Sequence, residues 1–161
     1  MSARGPKRVV LNSHRLFRDL SPQIMRELEL EASGMTPSDP ELYGTIQRGK
    51  HRIILTDRLR DEYAREARRQ GFPALVLGTV IQHLSQEGLI VRPRLPGGRP
   101  SIPGIPQRHN VFPLTAIAAN ADYLITENPA WHSRSDTIGQ HGPIVVTPRA
   151  FIEREATRGD R

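Results

Sequence analysis

Polar side chains follow each of four short apolar runs in this sequence. Asn12-Ser13-His14 follows residues 8–11, Thr56-Asp57 follows 52–55, Thr126-Glu127-Asn128 follows 122–125, and Thr147-Pro148 follows 144–146. If the runs are parallel strands, these residues stand at carboxyl ends, where open parallel sheets bind ligands. Capping and turn formation explain the same residues equally well. Glu62 adds a carboxylate. It comes three residues after Leu59, at the edge of a stripe formed by Leu59, Tyr63 and Ala67, with Glu66 one turn beyond. A carboxylate beside a core face is either aimed into a cleft or paired at the surface, here with Arg58, Arg65 or Arg69.

The elements that must position these groups are legible from apolar runs and breakers. Residues 8–11, 52–55, 89–91, 122–125 and 144–146 read as strands. Helices are expected over 14–31, with a break and a cap at Ser21-Pro22, and over 40–48, closed by Gly49. Others run from the Thr56 cap to Gln70 with Gly71 as stop, over 73–86 with Gly88 as stop, over 111–120, and from Pro148. Residues 34–40 and the Pro/Arg-rich segment 92–108 read as loops, the latter as an arm or connector rather than a packed element. Trp131 and His132 fall in a loop, and residues 157–161 form a frayed tail. Strands alternating with helices predict a parallel sheet covered on both faces, a three-layer α/β/α fold.

The 161 residues suit one domain with a sizeable core. There is no cysteine, which excludes disulfides, thiolate metal sites and cysteine nucleophiles. The six histidines show no metal-ligand spacing, so no structural zinc site is expected. Gly97-Gly98 lacks the Lys-Ser/Thr of a phosphate-binding loop, and no nucleophile elbow occurs. No apolar run is long enough to span a membrane and no signal peptide is evident, so a soluble, cytoplasmic protein is expected. The formal charge is +6, with arginine far outnumbering lysine. Guanidinium forks match phosphate geometry, which points to a polyanionic partner.

Four segments together resemble the PIN domain family. Val9-Val-Leu-Asn-Ser-His-Arg-Leu16 is similar to the family's opening V-V-L-D-T-N-V-L. Ile53-Ile-Leu-Thr-Asp-Arg-Leu-Arg-Asp-Glu-Tyr63 is similar to its second strand and Glu-bearing helix. Leu114 to Asn128 is similar to the segment in which a helix leads into A-D-Y-L-V-T and a polar pair, and Val145 to Ile152 resembles its T-P-x-E-F ending. Order and spacing agree over residues 7–155. The resemblance implies a PIN-like fold and kinship with Mg²⁺- or Mn²⁺-dependent ribonucleases, many of them toxins of toxin–antitoxin pairs, whose acids hold hard cations.

Carried over by position, the family's acids fall on Asn12, Glu62, His109 (or Asn110 with a one-residue shift) and Asn128. Only Glu62 is an acid, and Asp57, Asp61 and Glu127 are nearby substitutes. The resemblance thus implies a degenerate site in which Glu62, Asn12 and Asn128 would hold metal weakly, if at all. His109 would favour a softer ion. Arg15, Arg18, Arg108 and Arg134 are the expected phosphate contacts. Trp131 would either stack a base or plug the core.

Three functions follow as alternatives. One is an RNA-facing PIN-like protein with weak or lost nuclease activity. Another is an active Mg²⁺/Mn²⁺ endoribonuclease such as a toxin. The last is a structural or interaction subunit using the fold as scaffold. A homodimer and an antitoxin-like protein partner are implied by the resemblance alone.

Overall fold

The structure, a computed structural model, describes residues 5–28, 41–95, 102, 104–106 and 110–159, with side chains to 156. The expected loop over 34–40, most of the Pro/Arg-rich arm, Arg108, His109 and the extreme tail lie outside the described residues.

Five parallel strands form one sheet flanked by helices, the expected α/β architecture. They are β1 (Arg8–Leu11), β2 (Arg52–Ile54), β3 (Ile90–Val91), β4 (Tyr123–Ile125) and β5 (Ile144–Val146). Their order is β3-β2-β1-β4-β5. β1 lies at the centre, with Val9 opposite Ile53 on one side and Tyr123 on the other. Val9, Val10 and Leu11 are fully buried, as a central strand covered on both faces requires.

The chain leaves β1 to build β2 and β3 on one side, then returns to lay β4 and β5 on the other. Connections at the ends of β1 and β4 therefore diverge and leave a crevice between them.

After β1 the backbone is helical from residue 13 to 27. Helix α1 (Ser13–Arg15) passes through a π-helical turn, Leu16–Leu20, into α2 (Ser21–Glu27). The expected break is this change of helix type at Ser21, with Pro22 in the first turn of α2, but the expected Ser21 cap is not there. The Ser21 hydroxyl donates back to the Leu16 carbonyl at 3.0 Å rather than capping a new helix. Pro22 brings no N–H to the α-helical ladder, and the wider π-turn just before it is where the ladder makes room.

Helix α3 (Glu41–Gly49) ends one residue later than a glycine stop would imply. Lys50, not Gly49, takes the left-handed conformation, with φ 53°. Gly49 is needed for space, since a Cβ there would lie 2.1 Å from the His51 ring.

Thr56 caps α4 (Asp57–Arg69) by accepting from the Leu59 amide at 3.1 Å. Gly71 and Gly88, at φ 78° and 75°, reverse the chain after α4 and α5 (Ala74–Gln86) as expected. α6 (Val111–Ala118) precedes β4. Two short helices, α7 (Pro129–Ser133) and α8 (Ser135–Gly139), occupy the stretch expected as loop. α9 (Pro148–Gly159) closes the chain.

The expected stripe of α4 holds: Leu59, Tyr63 and Ala67 are all buried. The Tyr63 hydroxyl donates 2.6 Å to the Leu11 carbonyl, fastening α4 to the end of β1. The arm is not wholly unpacked, because Ile105 is buried in the core and bridges Ile102.

Candidate functional site

Asn12, Thr56 and Asn128, past the ends of β1, β2 and β4, each cap the helix that follows. Asn12 Oδ1 accepts from the His14 amide at 2.7 Å, and Asn128 Oδ1 accepts from Ala130 at 2.9 Å. Thr56 does the same for α4. Their residue types are therefore explained by capping. Two of them also face the crevice.

Asn12 Nδ2 donates to Thr126 Oγ1 at 2.9 Å, and the same hydroxyl oxygen accepts from the Asn128 amide at 3.0 Å. Thr126 is fully buried. It joins the ends of β1 and β4 and holds Asn12 and Asn128 on either side of the crevice.

The crevice is a pair of adjoining cavities that share Asn12, His14 and Asn128. The first, about 370 Å³, is walled by α4 through Glu62, Arg65, Glu66 and Arg69, and floored by Phe112 and Trp131. The second, about 450 Å³, is bordered by Arg15, Arg18 and Glu127. Glu62, Asn12 and Asn128 are thus brought together as the sequence suggested. Glu66 and His14 join them.

Both readings of Glu62 are met. It lines the cavity, and Oε1 accepts from Arg65 Nη1 at 3.0 Å. Glu66 repeats the pattern one turn on, paired with Arg69 and hydrogen-bonded by Gln70. His14 Nε2 lies 3.6 Å from Glu66. Burial by itself would raise the Glu66 carboxyl. Hydrogen bonds from Arg69 and Gln70, with the charges of His14 and Arg69, outweigh it and hold the group below its ordinary value. The His14 imidazole is lowered by burial first, then by Arg18, Arg15 and Arg69, against the pull of Glu66. It is neutral at pH 7.

Several expected contacts are placed elsewhere. Asn110 is not among the residues lining either cavity. Its amide donates to the Pro106 carbonyl at 2.8 Å, and its Oδ1 accepts from Trp131 Nε1 at 3.1 Å. Trp131 is 7% exposed and packs on Phe112 with ring centroids 5.8 Å apart, so it is a wall of the crevice rather than an open stacking platform. Arg15 lines the second cavity but is buried, with Nη1 at 3.0 Å from both Asp19 and Glu127. Arg134 is exposed at the end of α7 and lines neither cavity. Asp57 and Asp61 are exposed and likewise stand outside. Arg18 is exposed on the rim and forms no ion pair among the described residues.

These residues do not fit a hard divalent cation well. Such an ion asks for several anionic oxygens. Glu62 is held by Arg65, and Asn12 and Asn128 each spend an oxygen lone pair on a cap. Among the described residues, the group that could hold a metal ion is Glu27, His83 and Glu87, none of which lines the crevice.

Glu66 and His14 were absent from the expected site. The signals were present: a second glutamate one helical turn after Glu62, and a histidine three residues past a strand end. No family model, no curated protein and no solved structure matches this chain. No helix among the described residues is long and apolar enough to cross a membrane.

Proposed function

We propose that this chain is a PIN-like, RNA-facing protein whose crevice recognises phosphate-bearing RNA without the metal chemistry of the related nucleases. One observation carries the reading: each α4 carboxylate in the crevice has an arginine one turn on as its partner. The charged side chains lining the two cavities are three glutamates and four arginines, one of them the buried Arg15, so the crevice carries no excess of acid. A cation-holding cleft needs the opposite balance. Arg18 on the rim and the arginines of α4 offer forks for phosphate oxygens. Asn128 and neutral His14 offer hydrogen bonds to sugar or base.

The test is fluorescence anisotropy of a labelled single-stranded RNA against salt, with cleavage followed in Mg²⁺ and Mn²⁺. Binding should weaken with salt, by a slope of roughly 0.7 per phosphate contact. Arg18→Glu should weaken it further and flatten that slope by about one. No metal-dependent cleavage should occur. Absence of RNA retention at low salt would overturn the proposal and favour an interaction subunit recognising a protein.

A second reading, a Mg²⁺- or Mn²⁺-dependent endoribonuclease, is favoured by Glu62, Asn12 and Asn128 sharing one cavity. It requires that RNA be cut and that Glu62→Gln stop the cutting. Equal cleavage by parent and variant would remove it.

A further inference from the structure

A second polar group lies at the opposite, amino-terminal edge of the sheet. Glu87 borders a cavity of about 280 Å³ with Pro6, Arg52 and Leu89, residues at the starts of β1, β2 and β3. Glu87 caps the carboxyl end of α5, His83 stands one turn before it, and Glu27 is the last residue of α2. Their ligand atoms all lie within 4.8 Å of one another.

Two features separate this group from the crevice. No arginine or lysine pairs with Glu27 or Glu87 among the described residues, whereas Glu62 and Glu66 each have one. Both carboxylates also stand at helix carboxyl ends, where the backbone already concentrates negative charge and where basic residues are favoured. Two like charges and two negative helix ends converge on one imidazole.

His83 makes one hydrogen bond, to Glu27, and the distances also suit a metal shared by all three groups. His83 Nε2 is 3.2 Å from Glu27 Oε2 and 3.3 Å from Glu87 Oε1. One N–H cannot point well at two acceptors on different helices, and both separations are at or past the long end for such a bond. A tetrahedral zinc with bonds of about 2.0–2.2 Å sets its ligands roughly 3.3–3.6 Å apart. Gln47 Nε2 donates to Glu87 Oε2 at 2.9 Å, orienting that carboxylate through the oxygen that does not face His83, while the Tyr43 hydroxyl donates to the two oxygens that do, at 2.5 Å to Glu87 Oε1 and 3.4 Å to Glu27 Oε2.

We infer that Glu27, His83 and Glu87 form a zinc-class metal site that clamps the end of α2 to the end of α5. One imidazole nitrogen and two carboxylate oxygens form a three-ligand set with a fourth position for water. A mixed nitrogen and oxygen set prefers Zn²⁺ to Mg²⁺.

Calorimetric titration of the metal-free full chain with Zn²⁺ tests the site, with thermal melting alongside. One equivalent should bind and raise the melting temperature. His83→Gln and Glu27→Gln should each weaken binding by at least about tenfold. Glu62→Gln, in the crevice, should leave it unchanged. Glu27 is largely exposed, so its variant keeps the test valid if His83→Gln folds poorly. No binding at millimolar Zn²⁺, or binding that both variants retain, would overturn the site and leave His83 as a plain polar contact of the two carboxylates.

Discussion

The side-chain amide of Asn12 donates a 2.9 Å hydrogen bond to Thr126 Oγ1, tying the end of β1 to the end of β4. The residues are 114 positions apart. This bond fixes Asn12 at the crevice with its oxygen turned to the α1 amide instead of to open space.

An aspartate could make the same contacts, capping α1 through one oxygen and accepting from the Thr126 hydroxyl through the other. Asn128→Asp would likewise keep its cap. The double variant Asn12→Asp/Asn128→Asp should therefore fold, turn the crevice net negative and acquire Mn²⁺ binding by calorimetry, while its RNA affinity falls. Equally tight Mn²⁺ binding by the parent, lost in Glu62→Gln, would show that the natural site already holds metal.

Glu62→Gln releases Arg65 from its ion pair. If the crevice reads phosphate, RNA should bind the variant at least as tightly as the parent, with a salt slope steeper by about one. Filter binding at several salt concentrations measures this, and weaker binding by the variant would contradict it.

Tyr63 and Trp131 hold the walls. Tyr63→Phe leaves the buried Leu11 carbonyl without its 2.6 Å donor and should cost about 1–3 kcal/mol in urea unfolding. Trp131→Ala empties the packing against Phe112 and should cost about 3–5 kcal/mol. A near-neutral Trp131→Ala combined with lost RNA binding would instead mark the indole as a contact to ligand.

His51 sets an acid limit. It is buried, and its Nδ1 accepts the Lys7 amide at 2.9 Å, which places its proton on Nε2, facing Glu155. Burial, with the Lys7 charge, lowers its pKa below 6.5, against the pull of Glu155 and Asp122. The unfolded chain thus binds a proton more readily, and stability that is present above about pH 6.5 is lost as pH falls. His14 is lowered too and acts in the same sense. Denaturation at pH 7.5 and pH 5 should show a smaller drop for His51→Gln than for the parent. Identical drops would place the acid sensitivity elsewhere.

The sequence alone determined the strands, most helices and the layered class. Those rest on local signals: runs of buried β-branched residues, the Thr56 cap, and Gly71 and Gly88 in left-handed turns. It also determined that Glu62 lies at the edge of the α4 stripe, because helical periodicity is a property of neighbours in the chain. It could not tell a cap from a site residue at Asn12 or Asn128, since the same oxygen serves both and only the crevice separates the roles. Ser21-Pro22 marked the start of α2, but the π-turn leading into it leaves no pattern of apolar spacing and the Ser21 hydroxyl is spent on the Leu16 carbonyl. Strand order decided that β1 and β4 would meet. Pairing across the fold decided that Arg15 would reach Glu127, that Asn110 would clamp Trp131, and that Glu27 would reach His83. Contacts between residues 21 to 114 positions apart depend on how elements pack, and no local rule records them.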